Sequence, residues 1–254
     1  MKNIFILIYV LVSNNIISQN SNISMGDSIP VGRVVYEQII HSPYFKHLNG
    51  KAELCFNATR SSYSLCDIFK GNISYKAEDG LTVNDVGDSE GFPILKLHNE
   101  RVIYYKTHTV IDKKMVVVRD TLGNIPWVIY NEFKRFGPYK CQKAIGYFRG
   151  RTYEAWFTPD IPIPSGPFKL GGLPGLILEA KSIDGQIEFL FSNLEFSPSL
   201  TQTIKVPHGK YLDMNYTDLQ LEEERYMINW EKEAKARGSQ ITVSKAPGTI
   251  EIGN

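Results

Sequence analysis

The chain has 254 residues, of which 43% are hydrophobic, 12% aromatic and 22% charged. That composition excludes a disordered tail, a collagen-like fibre and a small disulfide scaffold, and the length supports a sizeable core. With 28 Lys+Arg against 27 Asp+Glu the formal charge is +1, so no positive excess is available to hold a nucleic acid.

In chain order, the first signal is Lys2 followed by the apolar run Ile4–Val12 and then polar Ser13-Asn14-Asn15. A positive start, a short apolar stretch and a small residue at Ser18 before Gln19 read as a secretory signal peptide over residues 1–18, leaving 19–254 as the mature domain. Nine apolar residues cannot span about 30 Å of hydrocarbon as a helix, and no second run approaches the required length, so no transmembrane segment is expected in the mature chain.

Strand patterns then follow one another: 32–40, 52–56, 62–65, 101–106, 115–120, 127–130, 143–148, 152–157, 176–180 and 187–191. Arg149-Gly150 and Asp184-Gly185 are hairpin signals, and Thr121-Leu122-Gly123-Asn124 reads as a turn. Residues 67–90, rich in Gly, Asp and Ser, read as a long loop or insertion. Many strands joined by short turns argue an antiparallel sheet rather than βαβ units. A helix follows, with Thr217 and Gln220 as a capping box and Gly238 as its stop. Its acidic start and basic end match the helix dipole. Leu219, Tyr226, Met227, Trp230 and Ala234 fall on one face, to dock on a sheet or line a cleft. The expected fold is mainly β (α+β): a single domain, a curved antiparallel sheet or half-barrel with a C-terminal helix packed on it.

Export changes how the cysteines read. In an oxidising compartment Cys55 and Cys66, with ten residues between them across a turn, are the first candidates for a disulfide, with three buried reduced thiols as the alternative. No cysteine or histidine has metal-ligand spacing, so neither metal nor cofactor is expected. Asp27-Ser28-Ile29 and Asp120-Thr121-Leu122 fit an Asp-Ser/Thr-aliphatic pattern, making Ser28 and Thr121 candidates for O-glycosylation.

The segment from Cys141 to Leu178 carries the most information. Five prolines between Pro159 and Pro174, interleaved with Gly166, Gly171, Gly172 and Gly175, make a stiff, shaped loop. It is also apolar, so it must pack on the body of the protein as a crossover, or cover an apolar cavity as a rim or lid. Gly172-Leu173-Pro174-Gly175-Leu176-Ile177 is the hexapeptide of the GLPGLI family, which this sequence resembles over roughly Gly32 to Glu251. Cys141-Gln142-Lys143-Ala144, Phe148–Tyr153, Ala155–Pro159 and Gly166-Pro167 fit that resemblance as well. It implies an exported protein of a Gram-negative bacterium and brings no established activity.

Candidate motif or binding residues are therefore Cys141, Lys143, Arg149, Arg151, Tyr153, Trp156, Phe168, Gly172, Leu173, Pro174, Gly175 and Leu176. The leading expectation is a periplasmic or envelope-associated binding or assembly accessory protein, partnered by an envelope protein or an apolar ligand such as a lipid or peptide. The alternative is an envelope hydrolase or peptide-modifying enzyme using Cys141, whose thiolate Lys140, Lys143, Arg149 and Arg151 would favour. No catalytic set is legible: there is no nucleophile elbow, phosphate loop or paired acid and base.

Overall fold

Alternating β-branched and aromatic residues fold into strands that pair mostly with their sequence neighbours. The computed structural model describes residues 31–42, 45–65, 72–76, 82–86, 90–109, 114–197, 204–212 and 214–238. The strands are β1 (Gly32–Ser42), β2 (Phe45–Phe56), β3 (Arg60–Leu65), β4 (Asn72–Lys76), β5 (Thr82–Val86), β6 (Ile94–Leu97) and β7 (Val102–His108). They continue with β8 (Met115–Thr121), β9 (Val128–Phe136), β10 (Tyr139–Phe148), β11 (Arg151–Thr158), β12 (Leu176–Ser182), β13 (Ile187–Phe196) and β14 (Lys210–Leu212). The helix α1 (Tyr216–Ala236) follows. Twelve strands form one open sheet in the order β14-β8-β7-β6-β3-β2-β1-β13-β12-β11-β10-β9. Neighbours are antiparallel except β14, which runs parallel to β8.

Chain length forces this sheet to curl. β8 and β9 stand ten places apart in the order, about 48 Å along a flat sheet. Only residues 122–127 join them, a reach of at most about 24 Å. The ends of the sheet must therefore approach each other, and side chains show that they do. Arg149, on the β10–β11 turn, hydrogen-bonds the Asp120 carboxylate of β8 and lies 3.9 Å over the Tyr216 ring of α1. Residues 122–124 are thus part of a bridge across the open seam, not the expected turn, and Thr121 ends β8. Ile125 and Trp127 of that bridge lie on Gly146 of β10, where any Cβ would come within 2.5 Å of the indole.

The concave interior is filled. Val34 and Tyr36, Leu54, Ile103 and Tyr153 point into one cluster, with Leu170, Leu173, Leu176 and Ile177 of the Pro/Gly region. Alternation sends Cys55 to the opposite face, into a small second cluster with Val31, Leu95 and Ile204. The expected insertion 67–90 contains β4 and β5, which among the described residues pair only with each other.

The helix forms where expected but starts earlier. Asn215, not Thr217, is the N-cap: its Oδ1 accepts from the Asp218 N–H at 3.0 Å, and its Nδ2 donates to the Asp218 carboxylate at 2.7 Å. Gly238 supplies the stop with φ +86°. Leu219 and Ala234 are buried and Tyr216 packs on the core, but Tyr226 and Trp230 are each 39% exposed. The aromatic half of the expected stripe turns outward because Glu223 and Glu231 share the inward face with Met227.

Candidate functional site

The Pro/Gly segment joins β11 to β12 and folds back over the concave face. Short backbone bonds set its shape: Ser165 N to Ile163 O (2.8 Å), Leu170 N to Pro167 O (3.0 Å) and Gly172 N to Pro164 O (3.1 Å). Gly172 takes φ +85°, which a side chain would penalise by about 1–2 kcal/mol. Gly175 is required for a different reason: a Cβ there would sit 2.2 Å from the Thr158 carbonyl oxygen. Leu173 and Leu176 are buried and Pro174 is exposed, so the hexapeptide turns its leucines in and its proline out. Phe168 has φ +50° and is half-buried against the core.

Groups distant in sequence hold the segment in place. Tyr36 OH donates to Ile177 O at 2.7 Å, and Trp127 Nε1 donates to Gly171 O at 2.9 Å. The strongest tether is Lys96 of β6, 1% exposed, whose Nζ donates to Gly166 O and Leu170 O, each at 2.7 Å. Ser165 Oγ lies 3.4 Å from the same Nζ and 2.7 Å from Ser61 Oγ, which is 3.0 Å from His98 Nε2. The Ala58 carbonyl can only accept, so in the neutral ring His98 Nε2 accepts from Ser61, Ser61 accepts from Ser165, and Ser165 accepts from Lys96. His98 completes it by donating from Nδ1 to Ala58 O at 3.5 Å. That direction requires a neutral imidazole, and burial, reinforced by the Lys96 charge, lowers its pKa to about 4. Burial also pushes the Lys96 ammonium well below the ordinary lysine range. None of Lys96, Ser61, Ser165 and His98 was found by sequence reading. The available signal was a lone lysine in the apolar run Ile94-Leu95-Lys96-Leu97.

The expected site residues do not form one cluster. Arg149 pairs with Asp120, and Arg151, 3% exposed, pairs with Asp184 on the next hairpin. Lys143 lies 3.2 Å from both Glu132 and Glu154, contacts that raise its pKa. Tyr153 is buried opposite Gly146 and Ser182. Trp156 is half-buried, its Nε1 donating to Glu154 at 3.1 Å. Each basic residue is thus engaged by a carboxylate of this chain. Cys141 is fully buried, and burial pushes its thiol up to about 12, with Asp160 adding to the rise and Lys134 opposing it. Its surroundings stabilise the thiol rather than the thiolate that a nucleophile needs.

The Cys55–Cys66 pairing, the signal peptide and Ser28 lie outside the described residues. Thr121 ends β8 and is exposed, while its neighbour Asp120 is held by Arg149. Among the described residues no cluster of three His, Cys, Asp or Glu could hold a metal ion, and no helix is long and apolar enough to cross a membrane.

A second surface stands out at the sheet's end. β9 is the terminal strand among the described residues, and Val128 through Arg135 are exposed on both of its faces. Val128, Ile129, Tyr130 and Phe133 leave 39–57% of their area in solvent, and Tyr147 of β10 leaves 52%. Lys140 Nζ sits 3.9 Å over the Phe133 ring.

Comparison with known proteins bears on the fold and the motif segment. A family model described as "Protein of unknown function (Porph_ging)" matches residues 148–179, from the β10–β11 turn into β12. No curated protein matches the sequence. Two crystal structures of PNGF-II, in different space groups, are similar in fold. One has a TM-score of 0.52 at 14% identity over 76% of this chain and 34% of that chain. The other has 0.52 at 12% identity over 78% and 33%. The chain spans about a third of the length of the structures it matches, and at these identities the likeness is one of fold alone.

Proposed function

We propose that this chain is an exported, envelope-associated binding or assembly accessory protein of the GLPGLI type, with its motif segment as scaffold and the β9–β10 edge as its contact surface. The observation that carries the reading is that edge: exposed Ile129, Phe133 and Tyr147 beside strand backbone with no described partner. A run of unpaired strand backbone flanked by apolar side chains is complementary to an extended peptide segment. The expected basic site residues Lys143, Arg149 and Arg151 argue against a ligand site there, because each already pairs with a carboxylate of this chain.

Energetics favour scaffold over lid. Burying Leu170, Leu173, Leu176 and Ile177 stabilises the fold by about 1.5–3 kcal/mol each. Their sum approaches the total stability of a typical domain, about 5–15 kcal/mol, so opening the segment amounts to unfolding. Burial of the Cys141 thiol and its raised pKa count against the hydrolase reading that uses it.

The test is binding of an environment-sensitive apolar dye by the wild type and by an Ile129→Ser/Phe133→Ser/Tyr147→Ser variant, with thermal melts of both. The expected outcome is lost dye binding at an unchanged melting temperature. Dye binding that survives the triple change rejects the edge as the contact surface.

A further inference from the structure

We infer that the edge strand β9 is built to pair antiparallel with β9 of a second copy of this chain, about a two-fold axis at Phe133. This rests on the reading of β9–β10 as the contact surface and names the partner of that surface. A two-fold axis perpendicular to paired strands places one residue opposite itself, and every other residue faces its mirror position. The registers therefore differ only in which residue lies on the axis, and the charges along Val128–Phe136 discriminate among them.

Full overlap of the nine-residue strand centres on Glu132 and sets its carboxylate against that of the second copy, a like-charge pair. Centring on Lys134 opposes two ammonium groups in the same way. Centring on Phe133 slides one strand by two residues and removes both conflicts, as centring on Asn131 also does, but only the Phe133 axis sets opposite charges face to face. Glu132 then faces Lys134 of the second copy, and Lys134 faces its Glu132. Phe133 meets itself, and the pairing is argued for Glu132–Lys134 alone because the β9 register is irregular between Ile129 and Phe133. The two charged side chains retain the exposure such pairing needs, 56% for Glu132 and 43% for Lys134, although each also reaches a carboxylate or lysine of its own chain. The pairing satisfies the outer backbone groups of β9 and covers a sheet edge that has no partner among the described residues.

Sedimentation velocity across a dilution series of the full chain reads the outcome. The wild type is expected to show a concentration-dependent mass of two chains. E132K and K134E each create two like-charged contacts at this interface, so each alone is expected to weaken self-association by about tenfold or more. An equimolar mixture of the two is expected to restore the dimer, because the opposed pairs are complementary again. That rescue also shows that both variants are folded. Disulfide trapping supplies a second reading that does not depend on charge. Under mild oxidation F133C is expected to form a covalent dimer and N131C is not, since only the axial residue meets its own copy.

A wild-type mass of one chain at every dilution overturns the proposal, as does a dimer indifferent to both charge swaps or a covalent dimer of N131C in place of F133C. If the wild type is monomeric but the Ile129→Ser/Phe133→Ser/Tyr147→Ser variant still loses dye binding, the self-pairing fails and the contact surface stands. If both results are negative, both fail.

Discussion

A lysine with no carboxylate partner among the described residues lies fully buried at Lys96. Desolvating an ammonium is costly, so its three acceptors must compensate: Gly166 O, Leu170 O and Ser165 Oγ. Lys96→Met keeps the apolar stem but removes the donor from two buried carbonyls, each worth about 1–3 kcal/mol when left unsatisfied. Its melting temperature should therefore fall in a thermal scan, despite the gain in hydrophobicity; a rise would show that the lysine's desolvation outweighs its bonds. His98, at the outer end of the same chain of hydroxyls, makes the arrangement sensitive to acid. Its folded pKa of about 4 lies below the ordinary 6.5, so the unfolded chain binds the extra proton first. Stability that depends on a neutral imidazole is complete above about pH 6.5 and declines as pH falls towards 4. Denaturant melts across that window should show the decline, and His98→Gln should flatten it.

The elements owe their limits to local chemistry that is easy to misplace by a residue or two. Both Asn215 and Thr217 can cap a helix, and both have a polar side chain three residues ahead at Asp218 and Gln220. The backbone decides between them: Asn215 is extended, with ψ 170°, whereas Thr217 is already helical. Asn215→Ala should cost about 1 kcal/mol in chemical denaturation, and Thr217→Ala should be near neutral. Equal losses would contradict the assignment. The Pro/Gly segment shows a similar division between its glycines. Gly172 is required by its positive φ, whereas Gly175 is required by the Thr158 backbone beside it. Sequence alone suggests a sharp turn in this segment, without saying which glycine bends and which makes room.

At the scale of the whole molecule the sheet is held curled across a seam that backbone hydrogen bonds do not close. The Arg149–Asp120 pair, with side chains only 15% and 6% exposed, joins the two ends beside Tyr216. Removing one member leaves the other charge partly buried, so Arg149→Met and Asp120→Asn should each destabilise the protein by about 3 kcal/mol or more. The double variant should lose less than the sum of the two, as a double-mutant cycle would measure. Strict additivity would mean that the pair does not couple the ends. Sequence marks Arg149 as a hairpin residue and a candidate binding residue but not its partner, which lies 29 positions away, and nothing local marks the two as neighbours.

Ten runs of alternating or β-branched residues, the turns at Arg149-Gly150 and Asp184-Gly185, and the helix near Thr217–Gly238 follow from sequence alone, because period, turn chemistry and caps are local. The short β6 and β14 were not legible, since four- and three-residue strands carry too little pattern. Tertiary structure decided the rest. It made residues 122–124, expected within a turn, part of a bridge, because β8 pairs with β7 and β14 and leaves β9 to the far end of the order. It made the motif segment the filling of a curled sheet, and it placed Lys96 beneath that segment 70 residues from its acceptor at Gly166. Contacts of that separation depend on how the sheet curls, a property of all twelve strands together that no window of sequence contains.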